Sequence, residues 1–113
     1  MAEELKPIKL KFDDGEEYVL EFSAQTAKDA QQGGFKASEV FDKSLVMIPL
    51  LFYFSFKMHH PQISRKKTDS ILNEDLGGLS EAMQDRLVEL YLAPINALAN
   101  AGMPKNPRLT VEL

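Results

Sequence analysis

Alternating apolar and polar positions near the start of the chain predict two short strands. Apolar side chains recur at every second position over residues 8–12 and 18–22, which is the period of strands with one buried face. The acidic segment 13–17 joins them and contains Gly15. This segment suits a tight turn, because glycine tolerates positive φ and aspartate accepts local backbone hydrogen bonds. We predict a β-hairpin over residues 8–22.

A helical pattern begins where the hairpin ends. Ser23 or Thr26 can cap the free amides of a first helix, and the Gly33-Gly34 doublet should end that helix. Residues 38–43 begin with a capping serine and have the length of a short second helix.

Residues 45–56 form the most apolar stretch of the chain. The stretch is shorter than the roughly 20 apolar residues that span a bilayer, and Lys57 follows it. Its alternating positions are compatible with a strand, but we favour a helix. Since Pro49 has no amide hydrogen and fits best in a first turn, we expect this helix to begin near Met47 or Ile48. Pro61 should mark its end.

Two more helices are predicted in the second half of the chain. Ser64 can cap a short peripheral helix over residues 65–76, which a second glycine doublet ends. Ser80 then caps the clearest amphipathic helix, in which apolar side chains recur at steps of three and four residues. Pro94 should bend or end this last helix locally.

The elements combine into one mostly helical α+β domain over residues 1–113. An N-terminal β-hairpin is followed by four to five helices in a small bundle, with the helical part covering residues 24–99. Residues 100–113 are a loop-rich tail, in which residues 108–113 are compatible with a short C-terminal strand.

Charge and composition narrow the classes of function. Thirteen Lys and Arg against 17 Asp and Glu give a net charge of -4, which is the wrong sign for a protein that neutralises nucleic-acid phosphates in general. The absence of cysteine excludes disulfides, thiolate metal sites and cysteine nucleophiles. Residues 1–6 are acidic and contain no long apolar run, so we expect a cytoplasmic protein and not a secreted one.

No residue pattern indicates catalysis or a cofactor. His59 and His60 are adjacent, and neighbouring side chains on a helix point about 100° apart, so the two do not form a zinc-binding pair. We expect a structural or solvent-facing role for them. The basic cluster at residues 65–67 is typical of a solvated helix face. We predict no enzyme activity, no metal and no cofactor.

The apolar positions of the third and last helices are the candidate binding residues. A helix that is apolar on all sides must be buried in its own domain or against a partner, and both alternatives stay open. We predict that nine residues form the core together with a partner-binding or self-association groove: Leu50, Phe52, Tyr53, Phe54, Phe56, Met83, Leu87, Leu90 and Tyr91.

One block of sequence resembles a known family. The block is Met47-Ile48-Pro49-Leu50-Leu51-Phe52 followed by His59-His60, and it resembles the tail assembly chaperones of long-tailed bacteriophages and prophages. The layout around it is also similar, in the segments 8–12, Asp14-Gly15, 18–22, Gly34-Phe35, 87–91 and Pro94-Ile95. The chain departs from the family pattern in its Gly33-Gly34 doublet and in the tail after Asn100.

The resemblance implies a chaperone without catalytic activity. Such a protein acts in the host cytoplasm, binds the tape measure protein, keeps it soluble and helps recruit the tail tube protein. It is then displaced and is absent from the mature virion. Self-association as a homo-oligomer fits this role, and neither nucleic acid nor membrane is an expected partner. The main alternative is a head–tail connector or tail-completion subunit retained in the virion, and a small nucleic-acid-binding regulator is disfavoured by the net charge.

Overall fold

The computed structural model describes residues 5–99 and 107–113. Two strands are followed by four α-helices, and a 3-10 turn and a π-helical turn lie between them. The elements in chain order are β1 (Ile8–Lys11), β2 (Glu17–Leu20), α1 (Ala24–Gln32), the 3-10 turn Ala37–Glu39, α2 (Ser44–Phe56), α3 (Arg65–Ser70), the π-helical turn Ile71–Asp75, and α4 (Glu81–Ala99). The mostly helical α+β class with an N-terminal hairpin is confirmed.

The hairpin has the predicted position and turn. Its strands are antiparallel, with Ile8 opposite Leu20. Gly15 has a φ of 94°, which only glycine adopts at low cost, and the Glu16 amide donates a hydrogen bond to Asp14 Oδ1 at 2.9 Å. The face that carries Leu20 points into the core, where Leu20 is fully buried. The hairpin is therefore a half-buried unit lying against the helices.

The first helix uses both predicted capping residues. The Thr26 amide donates to Ser23 Oγ at 3.1 Å, and the Ser23 amide donates to Thr26 Oγ1 at 2.9 Å, which forms a reciprocal capping box. The helix ends at the glycine doublet as predicted. The predicted α-helix over residues 38–43 is wrong, because only the 3-10 turn Ala37–Glu39 forms there and residues 40–43 are turn.

Helix α2 is confirmed, but its predicted start is wrong. It begins at Ser44, so Pro49 lies beyond the first turn. Proline there leaves the Leu45 carbonyl without its amide partner four residues on. The Leu45 side chain is exposed, so this turn lies at the surface, where water can replace the missing partner. The helix ends at Phe56, before Pro61.

The second half of the chain differs from the prediction in two places. The segment 65–76 is α-helical only to Ser70 and then forms a π-helical turn. Helix α4 continues through Pro94 to Ala99, where the helical part was predicted to end, so of the two alternatives at Pro94 the end of the helix is excluded. Residues 107–113 form no strand, since their backbone pairs with no strand in the described part of the chain. The predicted loop at residues 100–106 lies outside the described residues.

Helix α2 is the centre of the core. It packs against α1, α3, α4 and β2. The hydrophobic core side chains come from β2, α1, α2, the π-helical turn, α4 and the segments that follow β2, α1 and the 3-10 turn, and they are Leu20, Phe22, Ala27, Ala30, Phe35, Val40, Met47, Leu51, Phe52, Phe56, Ile71, Leu72, Leu87, Leu90 and Tyr91. In the described part of the chain, no helix has the length and apolarity needed to cross a membrane.

Candidate functional site

Five of the nine predicted binding residues are core residues. Aromatic rings join α4 to two connecting segments in this core, because the Tyr91 ring lies 4.8 Å from that of Phe35 and 5.5 Å from that of Phe22. No partner can reach such side chains while the domain stays folded. Phe52, Phe56, Leu87, Leu90 and Tyr91 therefore fulfil the core part of the prediction and are unsuited to the binding part.

The other four predicted residues are half-buried. Leu50 and Phe54 pack against the core cluster. Two cations lie near the Tyr53 ring, with Lys57 Nζ at 5.4 Å and Arg65 Cζ at 5.9 Å from its centroid. Met83 lies on α4, among the half-buried positions of that helix. Tyr53 is the predicted residue whose surroundings most resemble a surface contact site.

The most exposed large apolar side chains of the helical part near α2 were missed by sequence reasoning. They are Phe41, Leu45 and Val46, with 84%, 95% and 56% of their surfaces exposed. We call these three residues the α2 ridge. Contiguous exposed apolar surface is uncommon on monomeric proteins unless it binds something.

The turn before α2 holds the ridge in place. The Ser44 hydroxyl donates to the Phe41 carbonyl at 3.2 Å, and the Lys43 amide donates to the Glu39 carbonyl at 2.8 Å. Val40 is buried and anchors the turn to the core. Because buried Val40 fixes the turn from below, Phe41 and the first turn of α2 project outward.

A groove of about 420 Å³ adjoins the ridge. Its apolar lining includes Leu45, Ile48, Pro49, Leu72 and Leu79. Leu45 belongs to both the ridge and the groove. An ion pair between Arg65 Nε and Asp69 Oδ1, at 2.9 Å, lies on the groove's lining as well. An apolar centre with charged groups at its border is the composition of a protein-binding surface.

Two histidines tie the other end of α2 to the hairpin. His60 Nε2 accepts a hydrogen bond from the Val19 amide at 3.0 Å, and His59 Nε2 lies 2.8 Å from Glu21 Oε1. We call these contacts the histidine clasp. The Ser55 carbonyl strengthens the same junction by accepting the Glu21 amide at 2.9 Å. The structural role expected for the histidine pair is thus what the geometry provides.

The clasp requires a neutral His60 ring. Because Nε2 accepts the Val19 amide, the ring proton must lie on Nδ1. Burial lowers the pKa of His60 from its ordinary value, and the neighbouring His59 charge lowers it further. The Tyr18 ring, 5.1 Å away centroid to centroid, contributes to this burial.

A family model for a domain of unknown function, DUF5055, matches residues 1–113. The chain belongs to the DUF5055 family. Comparison of the DUF5055 chain with curated proteins and with solved structures finds no match. A function for this DUF5055 protein must therefore be inferred from its surface and from its sequence resemblance.

The α2 ridge gives the DUF5055 chain an exposed apolar surface beside a groove. Leu45 and its groove can receive an apolar side chain from a partner, as in the docking of an amphipathic helix. The signal for this surface was present in the sequence. Helix α2 is apolar on all sides, and a domain of this size has few elements with which to surround it. Part of its apolar surface is therefore expected to stay exposed.

Proposed function

We propose that this DUF5055 protein is a phage tail assembly chaperone that binds the tape measure protein in the host cytoplasm. It keeps this client soluble and helps recruit the tail tube protein during tail morphogenesis. The resemblance of residues 47–52 and of His59-His60 to that family supports the assignment. The observation that carries it is the exposed α2 ridge with its adjoining groove.

The ridge has the chemistry that the client demands. A long helical client with an apolar stripe aggregates unless the stripe is covered, and the exposed side chains of Phe41 and Leu45 offer apolar surface for that purpose. A shallow surface that makes few directional hydrogen bonds tolerates many different client sequences. Many copies bound along one client gain avidity even when each contact is weak.

The decisive experiment is coexpression with the tape measure protein encoded by the same phage or prophage. We expect the client to be soluble only with the chaperone and to co-purify with several copies of it. Leu45→Asp should abolish co-purification, because a carboxylate would replace the ridge's most exposed apolar side chain. Lys66→Asp is the matched control, since Lys66 is exposed and lies outside the groove lining.

Two results would count against this function. One is an insoluble client with free chaperone in the soluble fraction. The other is detection of the chain in purified virions, which would identify a head–tail connector or tail-completion subunit. Equal co-purification by both variants would keep the function but remove the ridge as its binding surface.

A further inference from the structure

The two outer edges of the hairpin are not equivalent. The Phe12 amide donates to the Glu16 carbonyl at 2.9 Å, which continues the register that pairs Leu10 with Tyr18. Antiparallel ladders alternate between bonded and non-bonded pairs. The even positions of β1 therefore bond to β2, while the amides and carbonyls of Lys9 and Lys11 point away from β2.

The outer edge of β2 is already occupied. By the same alternation, Val19 and Glu21 direct their amides outward. His60 accepts the first amide and the Ser55 carbonyl accepts the second. In the described part of the chain, no equivalent contact covers the outward groups of Lys9 and Lys11 on β1. β1 is thus the free edge of the sheet, and unpaired edges are templates for another strand.

A segment with the pattern of a missing edge strand lies elsewhere in the chain. Over residues 109–113, apolar Leu109, Val111 and Leu113 alternate with Thr110 and Glu112. The three apolar side chains are exposed. Alternation of this kind is typical of a strand with one face on a core, yet among residues 5–99 and 107–113 of one copy the segment pairs with no strand.

We propose that residues 109–113 of a second copy pair with the free edge of β1. An antiparallel register with Glu112 opposite Lys9 matches the hydrogen-bonding groups and the charge of this edge. It directs the outward backbone groups of Lys9 and Lys11 to the added strand. It also places the carboxylate of Glu112 beside Lys9, which forms no ion pair within the described residues.

The apolar side chains match in the same register. Leu113, Val111 and Leu109 come to lie beside Ile8, Leu10 and Phe12, on the face of the sheet that points to the core. All three β1-side residues are half-buried and pack against the core cluster, so part of their apolar surface is still open to be covered.

Room for an added strand exists beside this edge. A groove of about 590 Å³ is lined by residues 9–14 of the hairpin and by Asp75 and Leu76 after α3. Leu76 is an exposed apolar side chain at this groove. Asp13 and Asp14 give the end beside the hairpin turn negative charge, and Asp75 adds a third carboxylate to the lining. The proposed register brings the basic Arg108 to that acidic end.

The contact joins two different surfaces, so it is heterologous. A copy whose segment 109–113 lies on its neighbour still presents its own free edge to another copy. Such contacts generate rings or open rows of subunits and not closed twofold dimers. The inference does not depend on the proposed function, although a row of copies would suit a long client.

The test measures self-association of the full chain by sedimentation velocity over a wide concentration range. We expect oligomers that dissociate on dilution. Val111→Asp should weaken association by about tenfold or more, because it places a charge among apolar side chains. Thr110→Asp is the matched control, since it adds the same charge on the opposite face, beside Lys11. It should associate as well as the unmodified chain.

Complementation distinguishes a second copy from the chain's own segment. Lys9→Pro removes an outward amide and no hairpin hydrogen bond, so it should block the edge while the hairpin persists. We expect Lys9→Pro and Val111→Asp chains each to be monomeric and their equimolar mixture to form a 1:1 pair.

If Lys9→Pro unfolds, charge exchange replaces it. Lys9→Glu and Glu112→Lys should each weaken association, and their combination in one chain should restore it.

Three results would overturn the inference. The first is a chain that stays monomeric at all concentrations. The second is equal association by the Val111→Asp and Thr110→Asp chains. The third is a failure of the equimolar mixture to pair, or of the combined charge exchange to restore association, together with a loss of thermal stability in the monomeric variants. That outcome would mean that residues 109–113 pair with β1 of the same copy.

Discussion

The two ends of α2 are equally apolar in sequence and differ completely in their surroundings. At the C-terminal end, Phe52, Ser55 and Phe56 are fully buried, and the histidine clasp ties the backbone to β2. At the N-terminal end, Leu45 and Val46 project into solvent. The comparison teaches that one run of apolar residues can be enclosed by the domain at one end and exposed at the other, and it is the exposed end that we propose for client binding.

Truncation at the buried end should have the largest effect on stability. Phe52→Ala removes a fully buried ring that packs 4.9 Å from the Phe56 ring, and we expect a loss of roughly 3–5 kcal/mol of unfolding free energy. Urea unfolding followed by circular dichroism measures it. A loss below about 1 kcal/mol would mean that the centre of the core lies elsewhere.

Removal of the clasp should have the next largest effect. His60→Ala leaves the Val19 amide without its acceptor, which should cost about 1–3 kcal/mol. His59→Ala is the matched control at the adjacent position, because it removes an exposed contact to Glu21 that should contribute about 1 kcal/mol or less. Equal losses in the two variants would contradict the assigned roles.

The clasp should also make stability depend on pH. Since the pKa of His60 is lowered in the folded chain, the stabilisation is complete above the ordinary histidine pKa of 6.5. It is lost as the pH falls from there through the lower folded pKa, because the unfolded chain takes up the proton more readily. Urea unfolding at several pH values from 8 to 5 tests this. The dependence should shrink most in His60→Ala and less in His59→Ala, because the latter removes only the smaller of the two causes of the lowered pKa.

Substitution at the exposed end should have the smallest effect on stability. Leu45→Asp changes a solvent-exposed side chain in the first helical turn, where a carboxylate interacts favourably with the helix dipole. We expect the free energy of unfolding, measured by thermal denaturation, to change by no more than about 0.5 kcal/mol, while client binding is lost. A large destabilisation would show that Leu45 belongs to the core.

Local signals made the hairpin, the caps and the helix types predictable from sequence. Gly15, Ser23 and Ser64 act on backbone groups within three residues of themselves, so their roles can be read without a fold. The start of α2 was mispredicted because a solvent-exposed turn tolerates the hydrogen bond that Pro49 removes.

Long-range contacts set the limits of prediction at the candidate site. The contact of His60 with Val19 joins residues 41 positions apart, and nothing in the local pattern specifies it. Likewise, the periodicity of α2 shows that it is apolar all round but not which side its neighbours leave open. Phe52 and Leu45 therefore look alike in the sequence and have opposite environments in the fold.

The clasp also has a consequence for the order of events during translation. The hairpin leaves the ribosome before the helices do, and two isolated strands are at best marginally stable in water. Its outer edge gains the His60 ring only after 41 further residues are made, which takes roughly 2–8 s at about 5–20 residues per second. For that interval the nascent chain carries two open strand edges, and the arrival of α2 and of the two histidines that follow it closes one of them.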